Sequence, residues 1–129
     1  RNTGSIGVTL LGCYDIKTNN LGSQPPTEQQ IESMARAIAI VANALDLTID
    51  KAHVMTHGEA ADNEDGLYPH EAYGPKNGCE RWDLEYLGTS ESPTYNPYAK
   101  DGSRGGDVLR GKANWYRNYW KQNGTPYNP

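Results

Sequence analysis

The chain has 129 residues, 36% of them hydrophobic, and a formal net charge of −4 at pH 7. This length suits a single domain with a hydrophobic core of its own. No apolar run reaches the ~20 residues of a membrane span, and the acidic balance argues against nucleic acid or an anionic membrane as partner.

In chain order, Ser5-Ile6-Gly7-Val8-Thr9-Leu10-Leu11-Gly12 is a short apolar run bounded by glycines and reads as a buried strand. Residues 15–26 are polar, carry Asn19-Asn20 and Pro25-Pro26, and read as a loop. Thr27-Glu28-Gln29-Gln30 is a capping box that opens a helix. Ile31, Met34, Ala35, Ile38, Val41, Ala42 and Leu45 follow on one helical face. Leu47-Thr48-Ile49-Asp50 turns the chain, and Ala52 to Thr56 reads as a second short strand ending at His57. Strand, helix, strand is an α/β unit, with both strands expected in one sheet.

From Gly58 to Lys100 the sequence is irregular and rich in Asp, Gly, Pro, Asn and Tyr, and so long a loop in a compact domain is usually functional. Asp107 is the expected N-cap of a last helix, Val108 to Lys121. In that helix Leu109, Ala113, Tyr116 and Trp120 share a face, and Trp115, Tyr116, Tyr119 and Trp120 read as core and edge packing. The expected organisation is one domain over residues 1–122 and a tail or linker over 123–129.

Two segments carry chemistry. His57 lies in Val54-Met55-Thr56-His57-Gly58-Glu59, and Arg81-Trp82-Asp83 follows downstream. An imidazole at a strand end and a carboxylate two residues after a cation are two corners of a zinc site. A catalytic zinc takes three protein ligands and keeps one position open. On an extended segment Arg81 and Asp83 share a face, where a guanidinium can stabilise an oxyanion. His53, four residues earlier, follows Asp50-Lys51 and reads as solvent-exposed. The Asp62-Asn63-Glu64-Asp65-Gly66 stretch lacks the spacing of a calcium loop and reads as a solvated loop. Cys13 and Cys79, the two cysteines of the chain, are too few for a disulfide framework. Pairing, free thiols and metal ligation stay open for them.

The order of these pieces resembles the N-acetylmuramoyl-L-alanine amidases of the type 2 and peptidoglycan-recognition superfamily, in the style of phage endolysins. The pieces are the Ser5–Gly12 run, the Pro-Thr-Glu-Gln helix start at Pro26 to Gln29, a histidine after a short strand, and a basic-x-Asp triplet. The resemblance covers roughly residues 4 to 87. It implies a mixed β-sheet flanked by helices and a zinc held by two His and one Cys or Asp. The implied reaction cleaves the amide between the muramic acid lactyl group and L-Ala of the peptide stem. On this resemblance His57 and Asp83 are metal ligands, and Arg81 stands where the family has a catalytic lysine. Thr9 stands where many members carry a strand glutamate.

The departures shape the expected mechanism. Arginine keeps the charge but stays protonated, so Arg81 has no proton-transfer role. With Thr9 in place of a carboxylate, general-base duty falls on metal-activated water or on Glu59. The Gly58–Trp82 stretch is longer than the family's, which implies an insertion over the site. There His70 is substrate-facing or the missing imidazole ligand. Tyr73, with Tyr68, Tyr86, Tyr95 and Tyr98, is a candidate lining for a glycan groove. The family's first histidine precedes the Ser-Ile-Gly strand. The expectation is therefore that this chain is the C-terminal part of an amidase domain, whose N-terminal part is cleaved off, disordered or present as another chain.

The expected partner is peptidoglycan or a muropeptide, met at the bacterial cell wall by a phage lysin or a secreted enzyme. A non-catalytic muropeptide-binding module of the same fold is the alternative. A generic α/β interaction domain would leave the His57 and Asp83 pair as coincidence.

Overall fold

The computed structural model describes Gly7, residues 26–61, Leu84, residues 86–93, Asn96 and residues 98–123; the side chains of Gly58 and Ala61 are outside this set. Three helices occur there: α1 (Glu28–Ala44), the single short turn α2 (His57–Ala61) and α3 (Gly105–Asn123).

Helix α1 occupies the segment where the apolar periodicity places it. Its capping box is complete: the Gln30 N–H donates to Thr27 Oγ1 (3.1 Å), and the Thr27 N–H donates to Gln30 Oε1 (2.9 Å). The helix buries Ile31, Met34, Ala35, Ala39 and Ala42. It ends in a Schellman arrangement. The Leu47 N–H donates to the Ala42 carbonyl (2.8 Å) and the Asp46 N–H to that of Asn43 (3.3 Å). The residue in the left-handed position is Asp46, at φ 55. Leu47 then packs on the cluster that contains Ala42, the apolar contact that usually accompanies this cap.

Helices α1 and α3 form the main tertiary contact. One apolar cluster joins Ile31 and Met34 to Val108 and Leu109, with Leu87 inserted from the 86–93 loop and Leu84 packed against it. A second joins Ala39 and Ala42 to Ala113 and Ile49, covered by Leu47, Val54, Tyr116 and Trp120. Ile38 packs against both clusters. The alanines at this contact are buried almost completely, and small side chains let two helices approach closely. Polar contacts fix the pairing. The Tyr116 hydroxyl donates to Glu32 Oε1 (2.9 Å), Asn114 Nδ2 donates to the Ile49 carbonyl (3.1 Å), and Lys112 pairs with Glu32 (3.2 Å). The loop that delivers Leu87 is closed by buried Ser92, whose carbonyl accepts from the N–H groups of Leu87 (3.1 Å) and Gly88 (2.9 Å).

Three expectations are corrected here. The first is the mixed β-sheet flanked by helices: the described residues contain no strand and are helical. Ala52–Thr56 is turn, bend and a short extended lead into α2. The cause is local. Asp50 Oδ1 accepts from the His53 N–H (3.0 Å), and the Asp50 carbonyl accepts from the Val54 N–H (2.8 Å). These bonds consume the donors that a strand ladder would need. Of the Ser5–Gly12 run only Gly7 is described; it is exposed and in no regular element. The second concerns α3, which starts at Gly105, so Asp107 lies in its first turn and not at its N-cap. The third concerns the aromatics: Tyr116 and Trp120 cover the core, whereas Trp115 and Tyr119 are exposed. No helix among the described residues is long and apolar enough to cross a membrane.

The Asp46 cap generates a test. A left-handed backbone suits glycine better than aspartate. Asp46→Gly is therefore expected to raise stability by about 0.5–1 kcal/mol, and Asp46→Ala to lower it, measured as the urea midpoint of unfolding.

Candidate functional site

The site is built around the start of α2. The Thr-x-x-Glu spacing of Thr56-His57-Gly58-Glu59 is a capping box. The Glu59 N–H donates to Thr56 Oγ1 (3.1 Å), and the Thr56 N–H donates to Glu59 Oε1 (2.9 Å). The Ala60 N–H donates to the Thr56 carbonyl (3.0 Å), closing the first helical turn. His57 is thus the first helical residue, not the last of a buried strand.

A helix of five residues has little stability of its own. What holds it is a buried ion pair with α3. Arg110 donates through Nη1 to Glu59 Oε1 (2.7 Å) and through Nη2 to Glu59 Oε2 (2.8 Å), the two-pronged geometry that gives such pairs their strength. The same guanidinium donates to the Val54 carbonyl (2.9 Å) and to Asp107 Oδ1 (2.7 Å). Glu59 is 1% exposed. Burial pushes its carboxyl pKa up, but the Arg110 hydrogen bonds and charge, the Thr56 N–H and the Arg104 charge outweigh that, and the net direction is below the ordinary value of 4.5. Glu59 is an anion whose oxygens face α3. Its geometry is that of an anchor for the helix start, without the solvent access that a general base for water requires.

Gly106 belongs to this anchor. A Cβ there would lie 2.5 Å from Glu59 Oε1 and 2.9 Å from its Cδ. Only a residue without a side chain lets the carboxylate lie against α3.

The result is an exposed His57 on a fixed backbone. Among the described residues its ring has no hydrogen-bond or ion-pair partner. His53 differs: it is also exposed, but its Nδ1 lies 2.7 Å from Asp50 Oδ1. An uncommitted imidazole is a fitting zinc ligand, so His57 suits the metal in kind. Among the described residues no three His, Cys, Asp or Glu side chains converge on a point. Asp83, Arg81, Thr9, His70, Tyr73 and both cysteines lie outside the described residues. A surface depression of about 410 Å³, bordered by Ser90, Glu91, Asn96 and Asp101, contains none of the candidate residues. Its carboxylates are engaged, Glu91 with Lys112 (3.2 Å) and Asp101 with Ser103 (2.6 Å).

Sequence reasoning missed Arg110 and Gly106. The Thr56–Glu59 capping box was legible at the same spacing as Thr27–Gln30. Nothing in the sequence announces that Glu59 meets a guanidinium in another helix. No protein-family model, no curated protein and no solved structure matches this chain.

Two tests follow from the anchor. Gly106→Ala and Gly111→Ala are the same change in one helix, yet opposite signs are expected. Nothing lies within 4 Å of a Cβ at Gly111, so alanine there should stabilise by about 0.5–1 kcal/mol. At Gly106 it should destabilise by about 1–3 kcal/mol, because it displaces Glu59.

The second test is pH. A carboxyl depressed in the folded state contributes stability that is full above its unfolded pKa and is lost as the pH falls through the folded one. Unfolding free energy should therefore decline as the pH falls below about 5, and the decline should be shallower in Glu59→Gln.

Proposed function

We propose that this protein is a zinc-dependent peptidoglycan hydrolase that cleaves the amide between N-acetylmuramic acid and L-alanine of the stem peptide. The observation that carries the reading is His57: an exposed imidazole with no partner among the described residues, on a helix start that is locked from behind by Glu59 and Arg110. A ligand backbone anchored by a buried pair keeps its geometry when solvent and substrate exchange, which a metal site requires.

A second observation supports the pairing with Asp83. Leu84, its chain neighbour, packs against the cluster that contains Val108 and Leu109, and Glu59 lies against Gly106 and Arg110. Leu84 and Glu59, each close in sequence to a candidate ligand, are thus both tied to the first turns of α3. Leu84 also holds a left-handed backbone, φ 64, which costs about 1–2 kcal/mol in a leucine. Strain of this kind collects at functional segments.

His57 and Asp83 would hold zinc, with His70 as the candidate third ligand. Zinc, when bound, supplies Lewis acidity to the scissile carbonyl and activates water. The Arg81 guanidinium stabilises the negative charge that gathers on the carbonyl oxygen. It cannot act as an acid, because it stays protonated. Hydrolysis breaks the C–N bond and leaves a lactyl carboxylate and a free alanine amine. Thr9, His70 and Tyr73 are proposed to contact the muropeptide. A muropeptide-binding module without turnover is the second reading, and the commitment of Glu59 to Arg110 favours it, since it leaves that carboxylate unavailable as a base.

Zinc content and release of new amine ends from purified cell wall decide between them. The hydrolase reading expects near-stoichiometric zinc, lost in His57→Ala and Asp83→Ala, and amine release that a chelator abolishes. Muropeptide binding without zinc or amine release would establish the module instead.

A further inference from the structure

The outward face of α3 is not a solvated charged surface. Its exposed positions before the final residue are Gly111, Trp115, Asn118, Tyr119, Lys121 and Gln122. At 3.6 residues per turn, all but Lys121 fall within an arc of about 100°, and that arc carries no charge. Trp115 and Tyr119 are 59% and 47% exposed, and their rings stack at 5.2 Å with 14° between the planes. The stack is braced from within. Trp115 and Tyr116 pack at right angles, with ring centroids 5.1 Å apart. Tyr116 is in turn held to α1 by its hydroxyl on Glu32 (2.9 Å) and by the Arg36 guanidinium over its ring (5.1 Å). The platform is therefore largely ordered before anything binds, which lowers the entropy cost of binding.

We propose that this face binds a neutral pyranose glycan. An aromatic face carries partial negative charge and suits the weakly positive C–H faces of a sugar ring. Asn118 and Gln122, each with an amide donor and acceptor, flank the rings and make no hydrogen bond among the described residues. They suit hydroxyl and acetamido groups. Gly111 leaves the platform open at one end. The uncharged arc argues for a ligand without charge at this point. Nucleic acid would call for cations here. The face lies on a different element from His57. It adds a ligand to the cell-wall reading without resting on it.

The test is titration of the full chain with chitotetraose and with cellotetraose, by calorimetry and tryptophan fluorescence, with and without chelator. Saturable binding of either sugar that survives the chelator is expected. Trp115→Ala should weaken it roughly tenfold, the scale of one lost aromatic contact, and Asn118→Ala and Gln122→Ala should weaken it further when combined. These side chains are exposed, so an unchanged circular dichroism spectrum is expected in each variant. Absence of saturable binding to both sugars would overturn the proposal, as would equal affinity in Trp115→Ala. So would a Trp115→Ala effect confined to concentration-dependent sedimentation, which would make the face a contact between copies of this chain. Because the titration needs no metal, its failure and a failure to find zinc are separate results.

Discussion

The buried ion pair between Glu59 and Arg110 is the constraint on which the rest of the site depends. Removing two charges from water is expensive, and the cost is recovered only where the geometry is good and the remaining polar atoms are satisfied. Here the guanidinium serves Glu59, Asp107 and the Val54 carbonyl together. The carboxylate serves Arg110 and the Thr56 N–H. One contact therefore closes the α2 start, the turn before it and the first turns of α3 into a unit. Arg104, whose charge also favours ionised Glu59, is buried as well. Two cations and two carboxylates thus share this end of α3.

The small residues on α1 and α3 make that contact possible. Ala39, Ala42 and Ala113 are almost fully buried in one cluster, and larger side chains would push the helices apart. Gly106 plays the same part for Glu59, at a closer distance than any Cβ tolerates. The apolar clusters and the ion pair are in this sense one design. Close approach of α3 brings Val108 and Leu109 onto Ile31 and Met34, and it also carries Arg110 to α2.

The arrangement separates two faces with different chemistry. At one end of α3, charge is buried and spent on holding the backbone beside His57. On its outward side, stacked rings are exposed, and the Asn118 and Gln122 amides make no hydrogen bond among the described residues. The proposed hydrolase would use both kinds of surface, since chemistry at one bond gains from contacts made elsewhere on the chain being cut. The acidic net charge of −4 suits neither a nucleic-acid channel nor an anionic membrane surface, in line with a neutral sugar on the α3 face.

Local rules sufficed for the two long helices. Thr27–Gln30, the i, i+3, i+4 spacing of Ile31 to Ala42, and the apolar positions of α3 are all encoded within a few residues of where they act. The same rules erred over Ala52–Thr56. A short stretch of this kind forms a strand only when its backbone donors are free, and Asp50 takes those of His53 and Val54. They erred again at Trp115 and Tyr119, because periodicity alone does not say which side of a helix lacks a neighbour. Of the site, the sequence by itself determined the side chains on offer: an imidazole at His57, a carboxylate at Glu59, read as a general base, and the Arg81 and Asp83 side chains. Only the tertiary structure decided that Glu59 is an anchor, that Arg110 and Gly106 belong to the site, and that His57 faces water. These are properties of contacts between segments some fifty positions apart, and no local pattern records which guanidinium a buried carboxylate will meet.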